Sequence, residues 1–272
     1  MSSKIDESQA TAGGTFSRLL RHWRQARRLS QLGLASEASV SARHLCFLET
    51  GRAQPSRDAL LAIAESLDVP LRERNRLLTA GGFANVYKET ELASADMAQV
   101  RQVLQFILDR HLPYAALVLD RMSTCIMGNA ASSRLLAAVA DASLLTPNAN
   151  MLRVVFHPLG VRRFIVNWAD VARVLLDRAE RELTALHDDA ATGLWREISE
   201  YATDVAKPAP RRLQSDDVLL PVHIRRSDVE LRLFSTIMTI GTPQDITLQE
   251  LRIETLFPAD EASERMWHAL MA

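Results

Sequence analysis

The chain has 272 residues, 47% of them hydrophobic, enough for a substantial core and more than one domain of usual size. The net charge of −1 hides an asymmetry: residues 1–82 carry twelve Lys/Arg against eight Asp/Glu, the rest twenty against twenty-five. Two distant cysteines, Cys46 and Cys125, argue against a disulfide framework or zinc site and fit a reducing, cytoplasmic setting. The polar N-terminus has no signal-peptide core, and no apolar run reaches the ~20 residues of a membrane span.

Residues 1–14 read as a disordered lead. A first helix starts at Thr15, with Phe16, Leu19, Leu20, Trp23 and Ala26 at helical spacing and arginines between them. Ser30 caps a short second helix, and a third runs from Ser41 to Glu49, closed by Gly51. Helices over Asp58–Leu67 and Leu71–Thr79 follow, and Gly81-Gly82 ends the unit. Five short helices with a tight break between the second and third make a helix-turn-helix domain over residues 15–82, which expects double-stranded DNA as partner.

On the third helix Leu45 and Leu48 point to the core, while Ala42, Arg43, Cys46 and Phe47 share the other face. Arg43 can reach guanine with two hydrogen bonds, and Ala42 and Phe47 can meet thymine methyls. Gln31 is placed to hold a phosphate or to brace the third helix; Arg52 and Arg57 follow the cap, where phosphates would lie. With Ser41 and His44 these complete the candidate DNA contacts. The alternative is an all-helical packing unit with solvated arginines.

The stretch RLSQLGLASEASVSARHLCFLETGRAQPS resembles the Xre, or lambda-repressor-like, helix-turn-helix family over residues 15–80. The resemblance implies a reading helix at 41–49 and an ion pair between the first and third helices, falling on Arg24 and Glu49. Ser39 stands where such turns favour glycine, so a positive φ there would carry strain. Gly33 inside the second helix costs roughly 1 kcal/mol against alanine.

Residues 83–96 read as a linker and 97–272 as a second domain. It opens with a helix from Met97 to His111, with Val100, Val103, Leu104, Ile107 and Leu108 on one face. Two strands around Asp120-Arg121 follow, then an Ala-rich helix capped by Asn129. The periodicity next predicts one long helix from Val161 to Leu186 and another over Thr192–Tyr201. Three strands close the chain, Val218–Ile224, Val229–Ile240 and Ile246–Phe257. In the last, Leu251, Ile253 and Phe257 alternate with Glu250, Arg252 and Glu254, which predicts a wet face; the middle strand turns apolar on both faces from Phe234, which predicts cover on both sides there.

Two strands, helices, then three strands is a PAS-like order: a five-stranded antiparallel sheet with helices over one face, α+β overall for the chain. Such a sheet can enclose a small-molecule pocket, with Met127, Phe156, Phe164, Trp168, Phe234, Met238, Leu251 and Phe257 as candidate lining; the same residues can equally fill a solid core. HLPYAALVLDR, NMLRVVFHPLGVRRFIVNW and GTPQDITLQELRIETLFPAD resemble the MmyB-like ligand-binding domain over most of residues 97–265. That resemblance implies a buried lipidic ligand, with fatty acid the leading candidate. Arg153, His157, Arg162, Arg163 and Asn167 cluster in the segment that holds three of the aromatics and are candidates for its carboxylate. His157 can instead shape a loop, and the arginines can be a solvated helix start.

No GxSxG, P-loop, GxGxxG after a strand or HExxH motif occurs, and the histidines are scattered, so neither an enzyme nor a metal or other cofactor is expected. Two functions stand: a homodimeric transcription regulator that senses a hydrophobic ligand, and a constitutive DNA-binding protein whose second domain only dimerises or binds a partner.

Overall fold

A computed structural model of the protein describes residues 3–186, 188–203, 220–227 and 229–271, with side chains from Gly14 onward. The chain forms two compact units, one through Thr90 with residues 242–249, the other over 91–241 and 250–272. Residues 83–90 and 242–249 thus join the helix-turn-helix unit, although 83–96 read as linker and the second segment as part of the second domain.

The first unit holds helices α1 (Ser3–Ala26), α2 (Gln31–Glu37), α3 (Ala42–Glu49), α4 (Arg57–Ser66) and α5 (Leu71–Ala80). α1 begins inside the stretch read as a disordered lead. Three serines start three helices: Ser30, Ser41 and Ser56 accept the amides of Gly33, His44 and Ala59. Phe16, Leu20, Leu34, Leu45, Leu48 and Ile63 pack into one core. Ser39 adopts φ +55°, as its position in the turn predicts, and Gly51 takes φ +73° after α3.

α5 begins after Pro70, which offers no capping side chain. The cap comes from Gln249, whose Oε1 accepts the Leu71 amide at 2.6 Å. The same segment is held at its other end: Ile246 N donates to Lys88 O at 2.8 Å, and the Asp245 carboxylate accepts the Thr90 hydroxyl at 2.6 Å.

The second unit is built on an antiparallel sheet in the order β2-β1-β5-β4-β3: β1 (Ala116–Leu119), β2 (Cys125–Gly128), β3 (Val222–Arg226), β4 (Val229–Met238) and β5 (Arg252–Pro258). Its helices are α6 (Ala98–Arg110), α7 (Ala130–Val139), α8 (Met151–Phe156), α9 (Trp168–Ala185), α10 (Asp189–Tyr201) and α12 (Glu261–Met271), while α11 (Ile246–Glu250) precedes β5. Among the described residues no helix is long and apolar enough to cross a membrane.

Several expectations are corrected. Val161–Leu186 is not one helix: a 3₁₀ turn spans Val161–Phe164, the chain then extends, and α9 starts at Trp168. The break has a cause in β3. Val166 N donates to His223 O at 2.8 Å, and the Asn167 side-chain amide donates to Pro221 O and accepts from His223 N, so both residues serve the sheet edge. Ile246–Phe257 is not one strand, because Asp245 Oδ1 accepts Thr247 N and opens the short α11, leaving β5 to begin at Arg252. β4 ends at Met238, and its last four residues are exposed rather than covered on both sides. The third-last strand begins at Val222; Val218 and Leu219 lie outside the described residues. On α6, Leu104 and Leu108 are buried, but Val103 is 53% and Phe106 59% exposed.

Candidate functional sites: a helix-turn-helix surface and an internal cavity

α3 is held from behind and free in front. Leu45 and Leu48 are fully buried, whereas Ser41 and Arg43 are exposed and Ala42, His44, Cys46 and Phe47 are half-buried. The Arg43 guanidinium lies 5.4 Å over the Phe47 ring, which pre-orients it on the outer face. Arg52 and Arg57 are exposed just beyond, and neither has an ionic partner among the described residues.

Behind α3 is the expected ion pair. Arg24 Nε and Nη2 donate to Glu49 Oε1 and Oε2 at 2.6 and 3.0 Å, and Gln31 Nε2 donates to Oε2 at 2.8 Å. Gln31 therefore braces the third helix. Ser17 Oγ and Arg21 Nη2 donate to the carbonyls of Leu48 and Glu49, satisfying the helix end from α1. Burial pushes the Glu49 carboxyl up, but the hydrogen bonds from Arg24 and Gln31 and the charges of Arg24 and Arg21 outweigh it and hold the group below its ordinary range.

The second unit holds a partly open cavity of about 330 Å³ between the sheet and α7, α8 and α9. Its walls are aliphatic: Leu117 and Leu119 from β1, Leu135 and Val139 from α7, Val154 and Val155 from α8, Val171 and Leu175 from α9, Val222 and Ile224 from β3. Charged groups enter the lining at three positions, Arg178 and Glu182 of α9 and Glu254 of β5. Arg178 Nε donates to Glu182 Oε1 at 2.8 Å, and Arg252 Nη1 donates to Glu182 Oε2. Arg252 also reaches Ser123 Oγ, another lining residue, at 3.4 Å. Burial raises the Glu182 carboxyl, but the two arginines overcome it and keep the group ionised. The β5 face read as wet is therefore the one that turns towards α9, with the Arg252 side chain only 15% exposed.

Of the residues expected to line a pocket, Phe234 does so. The others lie outside the lining. Phe257 stacks on Phe234 at 5.6 Å, Leu251 is buried elsewhere, Met238 is exposed, and Met127 is half-buried on the edge strand β2. Phe156 and Trp168 meet edge to face at 5.4 Å within the packing of α8, α9 and α10. The polar cluster from Arg153 to Asn167 is engaged structurally. Arg153 clamps Glu197 of α10 at 2.8–3.0 Å, and His157 Nδ1 accepts Leu159 N and packs on Tyr201. Arg162 lies 4.8 Å over Trp168 and donates to Tyr201 O; Arg163 lies 4.8 Å over Phe164. Asn167 is tied to β3 as described above. The sequence reading misses the aliphatic walls, which look like ordinary core, and Arg178, Glu182 and Glu254, whose i,i+4 and alternating spacings look like solvated faces.

Among the described residues no group of His, Cys, Asp or Glu side chains is placed to hold a metal. Residues 15–77 match the family model of a helix-turn-helix domain, and residues 100–270 match that of the MmyB-like transcription regulator ligand binding domain. Among curated proteins none matches the chain. The fold and the two matches together place the chain in the family of helix-turn-helix transcription regulators that carry an MmyB-like ligand-binding domain.

Proposed function

We propose that the protein is a cytoplasmic, ligand-responsive regulator that binds operator DNA as a homodimer and holds a fatty acid in a PAS-like second domain. One observation carries the ligand: an aliphatic cavity of about 330 Å³ whose charged groups number three. That volume is at the lower end of small-molecule sites, and walls of this kind suit an acyl chain. A solid core would have favoured the purely dimerising module instead. On the DNA side Arg43 reads a base edge, with Ser41, Ala42, His44 and Phe47 beside it and Arg52 and Arg57 on phosphates. The exposed Val103 and Phe106 on α6 offer apolar surface of the kind a homodimer buries. Half-sites should then lie about 34 Å apart, or a multiple of it.

The chain also supplies a route for the ligand's effect. β4 and β5 line the cavity through Phe234, Ser235, Glu254 and Leu256, and the segment joining them, 242–249, belongs to the helix-turn-helix unit and caps α5. A ligand that binds two arrangements of these strands unequally would shift the helix-turn-helix between them. The test is extraction of the purified protein with organic solvent and mass spectrometry of the extract, followed by titration of delipidated protein with dodecanoic to octadecanoic acids. A stoichiometric acid, and operator affinity that changes on its return, support the reading. Delipidated protein that binds none of these acids refutes it.

A further inference from the structure

The head-group end of the cavity carries more chemistry than a plain fatty acid can use. This inference rests on the cavity being the ligand site. Both Glu182 oxygens are engaged, by Arg178 Nε and Arg252 Nη1. Arg178 and Glu254 both line the cavity, and among the described residues the two terminal nitrogens of Arg178 and the carboxylate of Glu254 make no hydrogen bond. Arg252 and Glu254 sit two apart on β5, so they leave the same face, about 7 Å apart along the strand. Glu254 thus borders the same end of the cavity as the Arg252–Glu182–Arg178 chain.

Guanidinium offers only donors and carboxylate only acceptors. The Arg178–Glu182–Arg252 chain carries one net positive charge, offset by Glu254, and the terminal nitrogens of Arg178 offer one ligand carboxylate a bidentate partner. That same carboxylate gives Glu254 nothing and sets a second anion near its half-buried side chain, where like charges repel. A hydroxyl close to the ligand carboxylate removes the conflict, because it supplies the donor that Glu254 lacks. We propose that the ligand is a hydroxylated acyl chain, its carboxylate on the Arg178 guanidinium and its hydroxyl donating to Glu254.

The experiment is calorimetric titration of delipidated full-length protein with tetradecanoic acid, its 2-hydroxy and 3-hydroxy derivatives, and their methyl esters. At least one hydroxy acid should bind about tenfold tighter than the parent acid, the gain expected of a hydrogen bond to a charged acceptor. Its methyl ester should lose at least as much. In Glu254→Leu the hydroxy preference should vanish while the parent acid binds as tightly or more so. Glu254→Gln, nearly isosteric, should shrink the preference severalfold and guards against a folding defect in the leucine variant. Arg178→Met should weaken both acids alike. Equal affinity for parent and hydroxy acids in the wild type overturns the inference alone, as does a preference that survives Glu254→Leu. Failure to bind either acid overturns it together with the fatty-acid reading beneath it.

Discussion

Replacing Glu49 with alanine probes whether the geometry of α3 is locked by a buried charge. Glu49 is 2% exposed and takes three hydrogen bonds, two from Arg24 and one from Gln31. The Arg24 side chain is only 14% exposed, and without Glu49 its guanidinium keeps the Leu29 carbonyl alone. Breaking a buried pair in this way typically costs about 3–5 kcal/mol, because the surviving charge stays desolvated. In a domain of this size each kcal/mol moves the melting temperature by roughly 4–8 °C, so Glu49→Ala should lower it by at least about 12 °C. Urea unfolding of the full chain, with hydrogen exchange to localise the loss to α1–α3, measures it.

The pH dependence has a definite sign. The Glu49 carboxyl is depressed in the folded state, so its contribution is full above the unfolded value of about 4.3 and is lost as pH falls through the folded value. The gap between wild type and Glu49→Ala should therefore close in acid. Arg24→Met with Glu49→Met should recover most of the loss, since an apolar pair leaves no orphan charge. A single Glu49→Ala variant within about 1 kcal/mol of wild type at neutral pH would refute the reasoning.

Three further outcomes test the remaining parts. Arg43→Ala should abolish preference for the operator while leaving the salt-dependent affinity for random DNA largely intact, and equal operator binding in a gel-shift titration would show that Arg43 reads no base. Gln249→Ala removes the cap on α5 and should cost about 1 kcal/mol, seen as faster exchange of the first α5 amides. It should also blunt the effect of ligand on operator affinity; a ligand effect of undiminished size would exclude the 242–249 segment as its route. Leu175→Trp fills the cavity from α9 and should leave the organic extract free of lipid, at an overpacking cost of about 1–3 kcal/mol; retained lipid would place the ligand elsewhere.

The helix-turn-helix was legible because its signals are local. Ser30 and Ser41 each mark a helix start within three residues of the amide they accept, and Gly51 marks an end. The Arg24–Glu49 pair was not local; it came from the family resemblance, and the structure realises it. The local period misleads where a distant partner overrides it. Val161–Leu186 has helical spacing throughout, but β3 claims the backbone of Val166 and the side chain of Asn167. Ile246–Phe257 has strand-like alternation, but its first residues turn on the Asp245 carboxylate. C-terminal α12 was not anticipated, although its Trp267 is fully buried and donates to Pro113 O, a partner 154 residues away.

The cavity shows the same limit more sharply. The segment from Arg153 to Trp168 concentrates arginine, histidine and aromatic residues, which is what a head-group site looks like along a chain. Its cations are engaged with Glu197, the Tyr201 carbonyl and aromatic faces, so they brace α8 against α10. The groups that do line the cavity are sparse in sequence, and each has an ordinary explanation: an Arg178–Glu182 helix pair, and Glu254 on an alternating strand. What changes their meaning is that β5 turns that face towards α9, where Arg252, 70 residues from Glu182, completes the chain of charges. A guanidinium on a solvated helix face is worth little. The same group bordering an aliphatic cavity discriminates more, because a ligand that covers its terminal nitrogens without pairing them takes them from water uncompensated.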